Sequence, residues 1–483
     1  MPKPYYLTTT LPYVNADPHI GFALELVQAD IIARYQELLG EEVFFNTGTD
    51  EHGLKIYRNA IAAGKDPQEY VDEYAAKFRR LPEALGVTTN RRYPIHFIRT
   101  TDPKHTQAAQ KFWRRCYDSG DIELKDYELK YCVGCELEKS DSELVNGCCP
   151  LHPNLKIELI KEKNYFFKFS NYQGRLLDFY KNNPAFVVPD FRFNEIKVFI
   201  ERGLGDFSIS RLKEKMPWGV PVPGDDTQVM FVWFDALVNY ISTLGWPEDE
   251  KNFEKFWGTM EKPNGIQMAG KDQIRQQAAM WQSMLMSAGL PNSKQIVIHG
   301  FITSGGQKMS KSLGNVIDPF ALVEEYGTDV VRYFLARHIN SFEDSDFTLE
   351  RFKEAYNANL ANGLGNLVAR VMVLAETYQV QTVIFKQQRS QPYQGAFERY
   401  EINRVIDTIW EDIQRTDQRI AREKPFEIVK SDLSEGKLLI QVYVQELAAI
   451  ADALTPFMPT TSEKILKAIR ENRKPENLFP RKD

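Results

Sequence analysis

The sequence predicts an α/β protein: a parallel sheet with crossover helices, interrupted by a small cysteine-rich unit and followed by an all-helical C-terminal domain. Three observations carry this. The first fifty residues alternate strand, loop, helix and strand. From about Tyr131 to Pro153 the texture turns to cysteine, glycine and polar residues. After about Glu350 strand signals fade and amphipathic spacing takes over.

Residues 5–9 read as extended, and a helix is expected over about 19–39 because Ile20, Leu24, Val27, Ile31, Tyr35 and Leu38 recur at helical spacing. Gly40 closes it, and residues 43–46 form a second short apolar strand. Parallel-sheet texture returns at 229–234, 265–270 and 295–298, so the sheet is split in sequence and whole in space. In the tail, helices are expected over 352–378, 400–422 and 438–454, with the polar, Pro-containing stretch 387–394 as a loop. The boundaries read as a first half of the sheet domain at 1–112, an insertion at 113–228 with a knuckle at 132–152, the second half at 229–302, a Gly-led loop region at 303–350 and the helical domain at 351–483.

At 483 residues the chain exceeds what one core supports, and 43% hydrophobic content is ordinary for a globular protein. A net charge of −6 argues against coating nucleic acid through a global positive field. Local basic patches that could grip phosphates remain at Arg79, Arg80, Arg91 and Arg92, at Arg351, Lys353 and Arg370, and at Lys464 to Lys474. There is no charged leader followed by an apolar stretch and no run of about 18 apolar residues, so neither export nor membrane insertion is expected and the location is read as cytoplasmic.

Five cysteines is an odd count, four of them close together, which argues for a reducing compartment and for metal. Cys132-x2-Cys135-x13-Cys149-x2-His152 has the paired spacing of a tetrahedral zinc site of three thiolates and one imidazole. All four positions are filled by protein, so the ion is expected to be structural. Cys148 adjoins Cys149 and competes for the same role, while Cys116 stands apart.

Pro18-His19-Ile20-Gly21-Phe22 lies where a strand has ended and a helix begins, offering unpaired N–H groups to an anion. Gly21 lets a ligand ring approach the backbone and His19 can donate to phosphate oxygens. Far along the chain, Gly305-Gly306-Gln307-Lys308-Met309-Ser310-Lys311-Ser312 places two lysines three apart on a Gly-led loop. If ATP is attacked at its α-phosphate, these lysines suit the charge that grows on the departing pyrophosphate. HIGF and KMSKS, nearly three hundred residues apart, resemble the two signatures of class I aminoacyl-tRNA synthetases. Phe22 stands where that family usually has a second histidine, which removes a polar contact worth about 1–3 kcal/mol.

Within that class, TTTLPYVNADPHIG, FFNTGTDEHGLKI, FVWFDALVNYIS, AGKDQIRQQAAMW, IVIHGFITSGGQKMSKSLGNVIDP and NLANGLGNLVAR resemble the methionyl enzymes over nearly the whole chain. The resemblance implies a Rossmann-type catalytic domain and a helical anticodon-binding bundle. It implies activation of L-methionine by Mg2+-ATP and transfer to the 3′ end of tRNA(Met), the initiator included. Leu11, Tyr13, Trp233, Ala236, Leu237, Tyr240, Gln277 and Trp281 would enclose the methionine side chain, with Asp50 accepting from its amino group. A thioether is well held by such walls. Gln276 and Gln277 stand where many of these enzymes have Phe and His, a more polar wall. Glu25, Gly270, Lys271, Asp272, His299, Gly300 and Ile302, with His19, Gly21, Lys308 and Lys311, would surround ATP. The substrate carboxylate is itself the nucleophile, so catalysis is mostly positioning and charge stabilisation.

By the same likeness the zinc unit helps orient the acceptor end of tRNA, while Asn366 and Arg370, four apart on one helix face, read the CAU anticodon. Phe426 stands where the family usually has Trp, offering a smaller stacking face. A monomer is expected. Two alternatives stay open: a class I synthetase for another amino acid, and a paralogue that activates an amino acid or binds tRNA without efficient charging.

Overall fold

Every side chain from Tyr5 to Thr8 is buried, the pattern of a strand covered on both faces. In the computed structural model, which describes residues 2–135, 137–139, 143–309, 314–380 and 389–482, this strand lies inside a six-stranded sheet. Its members are β1 (Pro4–Thr8), β2 (Glu42–Thr49), β3 (Ile95–Arg99), β4 (Val187–Val188), β5 (Gly265–Gly270) and β6 (Gln295–His299). The order is β3-β2-β1-β5-β6-β4, with β1 parallel to β2 and β5, β2 parallel to β3 and β6 parallel to β4. The winding reverses between β1 and β5, so their C-terminal ends flank the crevice where such sheets bind ligands. The sheet is indeed split in sequence and whole in space.

These strands belong to one of two units, comprising Met1–Pro18, Gly40–Arg80 and Tyr93–Ile298. Its core gathers Tyr6, Phe112, Trp113, Phe234, Trp257 and Trp281. Trp281 stacks on Phe112 at 5.5 Å and meets Tyr240 and Trp257 edge-on. The insertion is built on a long antiparallel ladder, Ile122–Cys132 against Glu158–Phe167, and Cys132 ends its first strand.

One strand expectation fails. Residues 229–234 are not a parallel strand: Asp225–Met230 pairs antiparallel with Ser210–Leu212 and Pro221–Val222, and Val232–Ala236 is helical. A short buried apolar run fits strand and helix equally, and Phe231 and Phe234, three apart, suit the helix.

The second unit comprises His19–Leu39, Leu81–Arg92 and His299–Asp483. Its first helix, α1 (Ile20–Leu38), is buried on nearly every face from Ala23 to Tyr35. Asp30 on α1 is fully buried and meets Arg34 at 2.8 Å, Arg332 at 2.7 Å and Arg91. Burial pushes the Asp30 carboxyl up, but the three guanidiniums outweigh it and hold it below the usual range. Arg34 also donates to the carbonyls of Gly86 and Thr89, and Arg332 to those of Leu85, Pro456 and Phe457, so the buried charges are fully engaged. Arg91 therefore belongs to this interior network, with Glu37 as a further partner, and not to a phosphate-gripping surface.

The rest of this unit is mainly helical, as expected, with α2 (Asn366–Thr377), α3 (Ile402–Glu423), α4 (Leu433–Leu454) and α5 (Pro459–Glu471). A π-helical stretch, Tyr356–Gly365, leads directly into α2. Of the expected loop at 387–394, residues 387 and 388 lie outside the described residues, and the helix Gln391–Glu398 begins inside the rest. Ser390 accepts from the Tyr393 amide as its cap and Pro392 falls in the first turn, where a missing N–H costs nothing. Among the described residues no helix is long and apolar enough to cross a membrane.

Candidate active site

His19 is the N-cap of α1, and its Nδ1 accepts from the Gly21 amide at 3.1 Å. With Nδ1 serving as acceptor, the neutral ring carries its proton on Nε2 and presents a donor. A Cβ on Gly21 would sit 2.8 Å from His19 Cε1, so the cap requires glycine. Phe22 stacks on the His19 ring with centroids 4.3 Å apart, bracing the imidazole that a second histidine would otherwise accompany.

The distant Gly-led segment meets this turn. The same Gly21 Cβ would come within 3.9 Å of Met309 Cε, and the Ile20 amide donates to the Ile317 carbonyl at 3.0 Å. Lys308 lies on a hairpin, β7 (Ile302–Ser304) against β8 (Gln307–Lys308), turned by Gly305 and Gly306 with φ of 61° and 74°. Two successive positive φ values are what a two-residue hairpin turn demands. β9 (Ser345–Phe347) pairs parallel with β7, and Asp346 on it accepts from the Gly306 amide and the Thr303 hydroxyl, both at 2.8 Å. The Gly306 bond is the main reason the Asp346 carboxyl lies below its ordinary range. Lys311 lies outside the described residues.

Glu25 and His299 form a buried pair in this same unit, Oε2 to Nε2 at 2.9 Å, and His299 Nδ1 lies 2.7 Å from the Gly300 carbonyl. Gly300 is required here, since a Cβ would fall 2.2 Å from the Glu343 carbonyl carbon. Ile302 begins β7 and is buried.

In the first unit, Gly270 ends β5 at the switch point, followed by Lys271 and an exposed Asp272 in a tight turn. Tyr13 and Asp50 are bridged after β1 and β2, the Asp50 amide donating to the Pro12 carbonyl at 2.9 Å. Leu11 is half-buried beside them in sequence. Ala236, Leu237, Tyr240, Gln277 and Trp281 are buried, and Gln277 donates to the Tyr240 hydroxyl at 2.7 Å. Trp233 is only partly buried and packs against Tyr131, Met216, Val229 and Phe231. Gln276 and Gln277 both lie on a π-helical turn, Arg275–Met280, a distortion common at functional sites.

Sequence reasoning passed over a buried pair next to this group: His52 Nδ1 lies 2.8 Å from Asp235 Oδ2. Burial pushes the Asp235 carboxyl up, with His52 acting against it. Both residues lie in the quoted motifs, but nothing local in sequence pairs them.

Cys132, Cys135, Cys149 and His152 bring their ligand atoms within 4.8 Å of one another, a group able to hold a metal ion. Cys135 Sγ lies 3.4 Å from Cys149 Sγ and 3.1 Å from His152 Nδ1, so one ion can reach all four. A Cβ on Gly134 would lie 2.5 Å from the His152 ring, which explains a glycine between the paired cysteines. Cys148 is not part of this group, and Cys116 is buried elsewhere, its thiol pushed up mainly by burial.

A family model described as tRNA synthetases class I (M) matches residues 5–156 and 152–372. The chain belongs to the class I tRNA synthetases. It is 48% identical over 378 residues to the methionine–tRNA ligase of Thermosynechococcus vestitus, covering 77% of this chain and 69% of that one. To the methionine–tRNA ligase of Thermotoga maritima it is 39% identical over 490 residues, 98% of this chain and 76% of the relative. Among solved structures, Mycobacterium tuberculosis methionyl-tRNA synthetase in complex with methionyl-adenylate superposes with a TM-score of 0.88 at 34% identity, covering 100% of this chain and 99% of that one.

The helical part of this class I synthetase carries the remaining candidates. Asn366 is exposed at the start of α2, and Arg370, one turn on, is half-buried and paired with Asp417 of α3 at 2.5 Å. Phe426 is 39% exposed on the short helix Pro425–Ser431, a large ring left open to solvent.

Proposed function

We propose that the chain is a methionine–tRNA ligase. It activates L-methionine with ATP to methionyl-adenylate, releasing pyrophosphate, and transfers the aminoacyl group to the 3′ end of tRNA(Met), the initiator included. The observation that carries this is the full-length likeness to a synthetase bound to methionyl-adenylate, together with relatives of the same printed name.

The substrate carboxylate attacks the α-phosphate and pyrophosphate leaves. His19, through Nε2–H, donates to the polyphosphate, and Lys308 and Lys311 meet the charge that grows on the leaving group. Gly21, Glu25, His299, Gly300 and Ile302 hold ATP, and Gly270, Lys271 and Asp272 keep the role their motif implies. Mg2+ accompanies ATP and would supply further charge neutralisation. Asp50 takes the methionine ammonium, and Leu11, Tyr13, Trp233, Ala236, Leu237, Tyr240, Gln277 and Trp281 enclose the side chain.

The metal is zinc, held by Cys132, Cys135, Cys149 and His152 in a structural role, since a set of three thiolates and an imidazole favours it. Asn366, Arg370 and Phe426 read the anticodon, and the protein acts as a cytoplasmic monomer. The rival is a paralogue that activates an amino acid or binds tRNA without efficient charging, which the smaller face of Phe426 favours. Methionine-dependent ATP–pyrophosphate exchange followed by charging of a CAU-anticodon tRNA decides between them. Exchange without charging selects the rival, and exchange with leucine or cysteine in place of methionine overturns the methionine reading.

A further inference from the structure

We infer that Gln267 is a positioning residue for the amino acid, acting through Gln277 on the hydroxyl of Tyr240; the inference rests on the function proposed above. Gln267 lies on β5, with no exposed surface, and donates from Nε2 to Gln277 Oε1 at 2.7 Å. Gln277 in turn donates from Nε2 to the Tyr240 hydroxyl at 2.7 Å. On its other side Gln267 Oε1 accepts from the Ser293 hydroxyl. That hydroxyl accepts from Gln282 Nε2 at 3.0 Å, and Gln282 Oε1 accepts from the Ser293 amide at 3.1 Å.

The direction of the whole chain follows from one group. A backbone N–H can only donate, so the Gln282 carbonyl faces Ser293 and its NH2 faces the Ser293 hydroxyl. The hydroxyl must then pass its proton on to the Gln267 carbonyl. That turns the Gln267 NH2 toward Gln277, whose carbonyl must meet it and whose NH2 must face Tyr240. Reversing any one amide would oppose two donors or two acceptors at sites no more than 2% exposed. Tyr240 therefore always receives a hydrogen bond from Gln277 here, which fixes one side of its hydroxyl. No member of the relay from Gln282 to Gln277 carries charge, so this polarity does not change across the working pH range.

The test is methionine-dependent pyrophosphate exchange on the full chain with Gln267→Leu, Gln267→Glu, Tyr240→Phe and the Gln267→Leu/Tyr240→Phe double variant. Gln267→Leu is expected to raise KM for methionine about tenfold, the worth of one lost orienting bond, while kcat and KM for ATP stay within about twofold. Gln267→Glu keeps the bond from Ser293 but turns an acceptor toward Gln277, reversing its amide, and raises the same KM. In the Tyr240→Phe background Gln267→Leu should change KM for methionine by less than about twofold, because the group it acts through is gone. An unchanged methionine KM in both Gln267 variants, or effects of Gln267→Leu and Tyr240→Phe that simply multiply, overturns the inference alone. Absence of methionine-dependent exchange in the unaltered chain overturns the functional reading and the inference with it.

Discussion

His299 Nε2 lies 2.9 Å from Glu25 Oε2, a buried pair between residues 274 positions apart in the chain. The second ring nitrogen faces the Gly300 carbonyl at 2.7 Å, so this imidazole is held at both ends. Removing the carboxylate in Glu25→Ala strands a buried ring nitrogen, expected to cost about 1–3 kcal/mol in urea unfolding. KM for ATP should rise as well, while Glu25→Gln, which keeps a polar partner, should lose less on both measures. Equal losses for the two variants would argue against this pairing.

Gly21→Ala should separate stability from activity. The new Cβ would stand 2.8 Å from His19 Cε1 and drive the ring from its cap. Alanine favours the helix over glycine by up to about 1 kcal/mol, which partly offsets the lost cap, so thermal unfolding should shift little. The rate of pyrophosphate exchange should fall on the order of a hundredfold, since a misplaced donor no longer meets the transition state. A variant with full exchange activity would show that the His19 orientation is dispensable.

Asp346 fastens the hairpin that carries Lys308. In Asp346→Ala two bonds to that hairpin are lost, and KM for ATP is expected to rise about tenfold with folding otherwise intact. The carboxyl is held below its ordinary range, so its contribution to stability is full above the unfolded carboxylate range. It is lost as pH falls through the lowered value. The stability difference between the two proteins should therefore vanish on acidification, and a gap that persists in strong acid would contradict the assignment.

Metal content separates the cysteines. Cys149→Ala should abolish stoichiometric zinc, read by elemental analysis, and loosen the ladder that ends at Cys132. Cys148→Ser should retain one zinc per chain. Loss of zinc in the second variant would replace Cys149 by Cys148 in the ligand set.

Phe426→Ala should weaken tRNA binding, with KM for tRNA rising about tenfold or more by loss of one stacking face, and leave pyrophosphate exchange unchanged. Reading a base edge would require Arg370 to leave Asp417, so Asp417→Asn is expected to alter tRNA affinity as well. Unaltered charging kinetics in both would remove this face from tRNA recognition.

What sequence alone determined here is local chemistry. Helix 20–38 was legible because its apolar spacing and its cap lie within the segment itself. The metal set was legible because two pairs of ligands with short spacing have few other uses. Where a local pattern admits two structures it misled: residues 229–234 fit a strand as well as a helix, and Pro392 fits a first helical turn as well as a loop. Only the tertiary structure decided which buried polar groups meet. Glu25 with His299, His52 with Asp235, Asp346 with the Gly306 turn and Gln267 with Gln277 join segments that no periodicity relates. Helix and turn formation is governed by neighbours a few residues away. A buried donor takes whatever acceptor the chain topology delivers, and in this protein the crossover order of one sheet and the packing of α1 make that choice.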